Sequence, residues 1–141
     1  MRDWNPLIAQ ISDWDGVTAG PHRFGGVEFT WGAIEIGHLH LGPGLVDVPF
    51  TRRLREALVQ AQEAEPHHLL ADSGWISFWA KTDADVEQAR RLLRLSYAQK
   101  RSRRDKVFAQ SLDSELESLA FPDTVRIALN RPVENATSDE T

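Results

Sequence analysis

Apolar and polar positions alternate along Phe29-Thr30-Trp31-Gly32-Ala33-Ile34-Glu35-Ile36, a stretch rich in aromatic and β-branched residues. Period two with that composition predicts strand rather than helix. A hairpin turn at Trp31-Gly32 or Gly32-Ala33 divides it into one strand over 22–31 and a second over 34–40. Gly25-Gly26 interrupts the first and predicts a bulge or a close backbone approach. The turn Leu41-Gly42-Pro43-Gly44 then leads into a short apolar strand over 45–48.

Helical spacing takes over on either side. A short helix is expected over 3–11, capped by Asp3 or Asn5 with Pro6 in its first turn, followed by a turn-rich loop at Asp15-Gly16 and Gly20-Pro21. Thr51 reads as the N-cap of a helix carrying Leu54, Leu58 and Ala61 to Gln62. Strands over 66–70 and 74–80 are joined by Asp72-Ser73-Gly74. Thr82 or Asp83 caps a helix with Val86, Ala89, Leu92, Leu93 and Tyr97 on one face. A further helix over 103–119 is expected from Val107, Leu112, Leu116 and Leu119, then an edge strand over 125–129 and a frayed polar tail over 133–141.

Hairpin-length links between strands imply an α+β fold. Its largely antiparallel sheet of about five strands carries helices packed on one face. The segments group as an N-terminal helix and loop (1–21), an α+β core (22–100), a C-terminal helix with edge strand (101–132) and the tail (133–141).

A chain of 141 residues can bury one core without staples. It has no cysteine, which excludes disulfides, thiolate metal sites and cysteine nucleophiles. No apolar run is long enough to span a bilayer and no leader pattern opens the chain, so a cytoplasmic protein without membrane contact is expected. The net charge of −5 argues against nucleic acid as the main partner, and the basic run at 100–106 reads as a solvated helix junction. Gly-x-Ser-x-Gly and phosphate-binding glycine motifs do not occur.

The chemistry concentrates in the strand half. His38 and His40 stand one residue apart on a predicted strand, so both rings point to one side. Asp47 lies in the otherwise apolar run Leu45-Val46-Asp47-Val48 and needs a donor if buried; period two allows it to share the face of the histidines. His22, His67 and His68 complete the histidines, Glu28 and Glu35 are nearby carboxylates, and Trp31 and Trp75 are candidate stacking walls. Adjacent strand residues face opposite ways, so only one of His67 and His68 is expected in a cleft. A carboxylate paired with an imidazole makes a general base, so His38, His40 and Asp47 are the candidate catalytic groups. The other residues named here are the candidate ligand contacts. A His-x-His strand with a third donor also fits a metal, but the preferred reading is a small-molecule pocket with no metal and no cofactor.

Several blocks carry a family resemblance. They are His22-Arg23-Phe24-Gly25-Gly26-Val27-Glu28-Phe29, Glu35-Ile36-Gly37-His38-Leu39-His40, Leu45-Val46-Asp47-Val48-Pro49-Phe50 and Glu65-Pro66-His67-His68-Leu69. With Ser73-Gly74-Trp75-Ile76-Ser77-Phe78 and Leu92-Leu93-Arg94-Leu95-Ser96-Tyr97, they resemble a small bacterial domain of unknown function called luciferase-like. The name reflects similarity to the core of fungal luciferase. Fungal luciferase oxidises a hydroxylated pyrone with molecular oxygen and is thought to need neither metal nor organic cofactor. The resemblance therefore implies a cofactor-independent oxygenase-type protein binding an aromatic or enolic small molecule, with contacts from His38, His40, His67 and His68. Unlike fungal luciferase, the chain shows no hydrophobic anchor at its N-terminus. The later helix after a tryptophan-containing strand is also similar to YjbR-like α+β sandwiches. The alternative is a non-catalytic interaction module that docks a partner or forms a homodimer through Leu112, Leu116 and Leu119.

Overall fold

A computed structural model describes residues 2–22 and 25–130. Six strands form one antiparallel sheet: β1 (Val17–Pro21), β2 (Val27–Trp31), β3 (Ile34–His40), β4 (Leu45–Pro49), β5 (Glu65–Pro66) and β6 (Trp75–Trp79). Their spatial order is β1-β2-β3-β4-β6-β5. Six helices accompany them: α1 (Asn5–Ser12), α2 (Arg52–Gln60), α3 (Asp83–Arg104), α4 (Lys106–Ala109), α5 (Leu112–Leu119) and α6 (Asp123–Asn130). The fold is α+β, with one strand more than the sequence suggests.

The long helix starts at Thr82, one of its two expected caps, and a capping box closes its first turn. The Thr82 hydroxyl accepts the Asp85 amide at 3.1 Å while the Asp85 carboxylate accepts the Thr82 amide at 3.1 Å. Its apolar face, with Ala89, Leu92 and Leu93, lies across β3 and β4 and meets Ile36, Leu39, Val46 and Val48. Each such aliphatic side chain, fully buried, is worth roughly 2 kcal/mol. The close approach requires a glycine: a Cβ at Gly37 would stand 2.6 Å from Leu93 Cδ2 and 3.0 Å from the Asp47 carbonyl oxygen. Gly37 and Val48 therefore face the helix, and their neighbours His38 and Asp47 face the other way.

Several expectations are corrected. The loop before His22 contains β1, whose residues pair with β2 from Val17↔Trp31 to Pro21↔Val27. The strand expected over 22–31 is β2 alone. Gly25 and Gly26, with φ of 86° and 95°, belong to the β1–β2 hairpin connection rather than to a bulge within one strand. The alternative of a close backbone approach holds at Gly26, where a Cβ would stand 2.2 Å from the Leu39 carbonyl oxygen. The strand expected over 66–70 ends at Pro66. The helix expected over 103–119 is broken, because the Asp105 carboxylate accepts the Val107 and Phe108 amides and starts α4. The edge strand expected over 125–129 is α6: Val125, Ala128 and Leu129 recur at helical spacing and are buried. The tail expected over 133–141 lies outside the described residues.

Leu116 and Leu119 are buried within the fold, so this stripe is already covered by the chain itself. Arg101 in the basic run pairs with Asp105 at 3.1 Å and with Asp15 at 3.0 Å. Among the described residues, no helix is long and apolar enough to cross a membrane.

Candidate functional site

A β-bulge starts the site. Phe29 pairs with Gly37 and Thr30 with Glu35, leaving Ile36 as the extra residue of β3. Strict alternation would put Glu35 on the side opposite His38. The bulge brings it round, and Glu35 Oε2 lies 2.6 Å from His38 Nδ1. The Ile36 carbonyl accepts the buried Ser96 hydroxyl of α3 at 2.8 Å, and Lys100 Nζ donates to Ser96 Oγ at 2.9 Å and to the Pro49 carbonyl at 2.7 Å.

Asp47 is the centre. It pairs with His38 across β3–β4 and with Ser77 across β4–β6, so all three side chains share the helix-free face. Only 1% of its surface is exposed. Ser77 Oγ donates to Oδ1 at 2.7 Å, and His68 Nδ1 stands 3.6 Å from the same oxygen. Oδ2 faces His40 Nε2 at 3.1 Å, His38 Nε2 at 3.2 Å and His67 Nε2 at 3.6 Å.

Burial pushes the Asp47 carboxyl up, but hydrogen bonds from His38 and Ser77 outweigh it and lower its pKa to about 2. Burial likewise pulls the His38 ring down, yet hydrogen bonds to Asp47 and Glu35 raise it to about 9. A carboxylate at each nitrogen favours the imidazolium form of His38. Burial and the neighbouring His38 lower the pKa of His22, whose ring stacks on His38 at 4.0 Å. Burial, the largest influence on His67, lowers it despite the attraction of Asp47.

His67 and His68 both line the cleft, correcting the expectation that only one would. The chain leaves the strand after Pro66, and His67 Nδ1 accepts the Leu69 and Leu70 amides at 3.0 Å each. That turn swings the His68 ring alongside, stacked at 4.2 Å. Trp75 forms a wall, 5.5 Å from the His38 ring and 5.8 Å from His67. Leu69 and Leu70 stand at the lip, 79% and 51% exposed. The cleft measures about 480 Å³ and is lined by all five histidines with Glu35, Asp47, Leu69, Leu70 and Trp75.

Two expected contacts lie elsewhere. Trp31 sits beside Gly16 at the far end of β2 and is absent from the lining. Glu28 stays outside it, 4.0 Å from His22 Nε2. Ser77, Leu69 and Leu70 were not among the expected site residues. The signal for Ser77 was available: a small polar residue between Trp75 and Trp79 on one face of a strand.

Two groups bring three ligating atoms within 4.8 Å of one another: His38, His40 and Asp47, and Asp47, His67 and His68. Chemically, the cleft combines a cation locked between carboxylates, a more open imidazole at His40, and an aromatic wall.

Residues 34–96 match the family model of the Luciferase domain. No curated protein matches the chain, and neither does any solved structure. The matched segment runs from the first residue of β3 to Ser96 and takes in every cleft residue except His22. Over residues 34–96, the chain is therefore similar to the Luciferase domain family.

Proposed function

We propose that the cleft binds a small enolic or phenolic aromatic molecule and stabilises its anion, as the first step of an oxygenase-type reaction. The observation that carries this reading is the convergence of four imidazoles on one buried carboxylate beneath an apolar lip, with a fifth, His22, stacked on His38. In this reading His38, fixed between Glu35 and Asp47, supplies positive charge to the ligand oxygen. His40 accepts the ligand proton, held in orientation by Asp47 Oδ2. Trp75 gives the ring a flat wall and Leu69 and Leu70 close over its apolar edge. The resulting anion is the electron-rich form that reacts with dioxygen.

The test is titration of 4-hydroxy-6-methyl-2-pyrone into chelator-treated protein at a pH below the ligand's own ionisation. The expected result is saturable appearance of the enolate absorbance, lost in His40→Ala. An absorbance unchanged by wild-type protein would overturn the reading.

A further inference from the structure

Asp47 Oδ2 is flanked by three ring nitrogens. His40 Nε2, His38 Nε2 and His67 Nε2 stand 3.1, 3.2 and 3.6 Å away. The first two lie at hydrogen-bond distance and the third just beyond it, so each of the first two is a hydrogen bond only while that nitrogen carries a hydrogen. One divalent cation can take the place of those two hydrogens, because it binds the lone pairs of deprotonated rings and of the carboxylate together. The spacing suits such an ion. Bonds of about 2.1 Å put neighbouring ligand atoms about 3.0 Å apart in octahedral geometry and about 3.4 Å apart in tetrahedral geometry. The His40 and His38 separations from Asp47 Oδ2, 3.1 and 3.2 Å, fall in that interval.

The rings are not equivalent. His67 Nδ1 accepts two backbone amides, so its neutral ring carries the proton on Nε2 and offers the centre no lone pair. That removes His67, and with it the Asp47, His67 and His68 group, as a ligand set. His38 is the reverse case. Its Nδ1 donates to Glu35 at 2.6 Å, so an ion that displaces the ring's other proton meets Nε2 as a lone pair on the side of Asp47. A carboxylate behind a histidine is the arrangement that orients the ring and raises its basicity toward a metal.

We infer that the protein binds one first-row divalent transition-metal ion through His38 Nε2, His40 Nε2 and Asp47 Oδ2, with Glu35 supporting His38 from behind. Two imidazoles and one carboxylate suit Fe(II), Co(II) or Zn(II), whereas Mg(II) and Ca(II) favour all-oxygen sets. The inference goes beyond the proposed ligand chemistry and requires no organic molecule. It also adds an ion-bound state to the metal-free cleft expected from the sequence. His40 cannot hold the ion and accept a ligand proton at once, so the ion-bound and pyrone-deprotonating forms are alternative states of one cleft.

Every histidine of the chain lines this cleft, so no imidazole elsewhere competes for the ion. The experiment uses the full chain without a histidine tag, stripped with chelator, dialysed and titrated with Zn(II) by calorimetry and with Co(II) by visible absorption. One ion per chain is expected. His40→Ala, a ring on the open side of the cleft, should weaken binding about 100-fold or more, and Glu35→Gln about 10- to 100-fold. His68→Ala should stay within a few-fold of wild type. Circular dichroism establishes that each variant is folded. Failure of folded wild-type protein to bind either ion would overturn the inference. So would binding retained in His40→Ala, or a loss in His68→Ala equal to that in His40→Ala. Pyrone binding is measured in chelator, so failure of one reading leaves the other legible.

Discussion

Ser96 of α3 donates its hydroxyl to the carbonyl of Ile36, the bulged residue of β3, at 2.8 Å. The bulge turns Glu35 toward His38, so a helix on one side of the sheet fixes a carboxylate on the other. Ser96→Ala leaves the Ile36 carbonyl buried without that donor. We expect a loss of about 1–3 kcal/mol in urea unfolding, together with a changed His38 ring signal by NMR. Wild-type stability and an unmoved ring would show that the bulge holds itself.

Gly37 is the point of closest approach between β3 and α3. Gly37→Ala forces its new methyl to within 2.6 Å of Leu93 Cδ2. A loss of about 1–3 kcal/mol is expected from overpacking. Leu93→Ala alone should cost about 2–5 kcal/mol through its cavity. The double variant should be more stable than the sum of the two losses predicts, because one methyl fills part of the space the other vacates. Strict additivity in thermal unfolding would place the strain elsewhere.

Burial, then the nearby Arg103 and Arg104, pull the Lys100 ammonium down from 10.5 to about 7. Between these values the unfolded chain binds more protons at this position than the folded chain, so raising the pH favours folding. Below about 7 both states are protonated and the penalty is full and constant; above 10.5 both are neutral and it vanishes. Wild-type stability should therefore gain on Lys100→Met from pH 7 upward, by at most about 1.4 kcal/mol per pH unit. Taking the difference between the two proteins cancels every other titrating group. Denaturation midpoints that run parallel from pH 7 to 9.5 would contradict the shift.

Leu69 and Leu70 contribute little to the core and stand over the cleft. The double change Leu69→Ser, Leu70→Ser should leave stability within about 0.5 kcal/mol. It should weaken binding of an aromatic enol by about tenfold, since two apolar contacts are lost. Binding equal to wild type in the pyrone titration would remove the lip from the ligand's path.

The sequence reading was strongest where one period ran uninterrupted. The bounds 34–40 for β3 follow from alternation, the start of α3 from Thr82 as one of two expected caps, and the shared face of Asp47 and His38 from period two once the β3–β4 register is known. It failed where a local feature broke the period. Val17–Pro21 is too short and too rich in glycine and proline to read as a strand, and only its pairing with β2 makes it one. Val125, Ala128 and Leu129 look like a short apolar strand until their spacing is counted as a helical turn. Asp105 interrupts an apolar pattern that continues past it. At the site, the side taken by Glu35 depends on a one-residue bulge, and the shared direction of His67 and His68 depends on a turn capped by an imidazole. Neither device has a residue-type signature, so both lay beyond what a pattern of apolar positions can tell.

Because the helices cover one face of the sheet and the histidines occupy the other, folding and chemistry draw on alternate residues of the same strands. A change at Leu39 or Val46 reaches the helices; a change at His40 or Trp75 reaches the cleft. Such a scaffold can trade one reaction for another by substitutions that the fold scarcely registers. Descendants of a common ancestor could thus keep its architecture while diverging in what they transform.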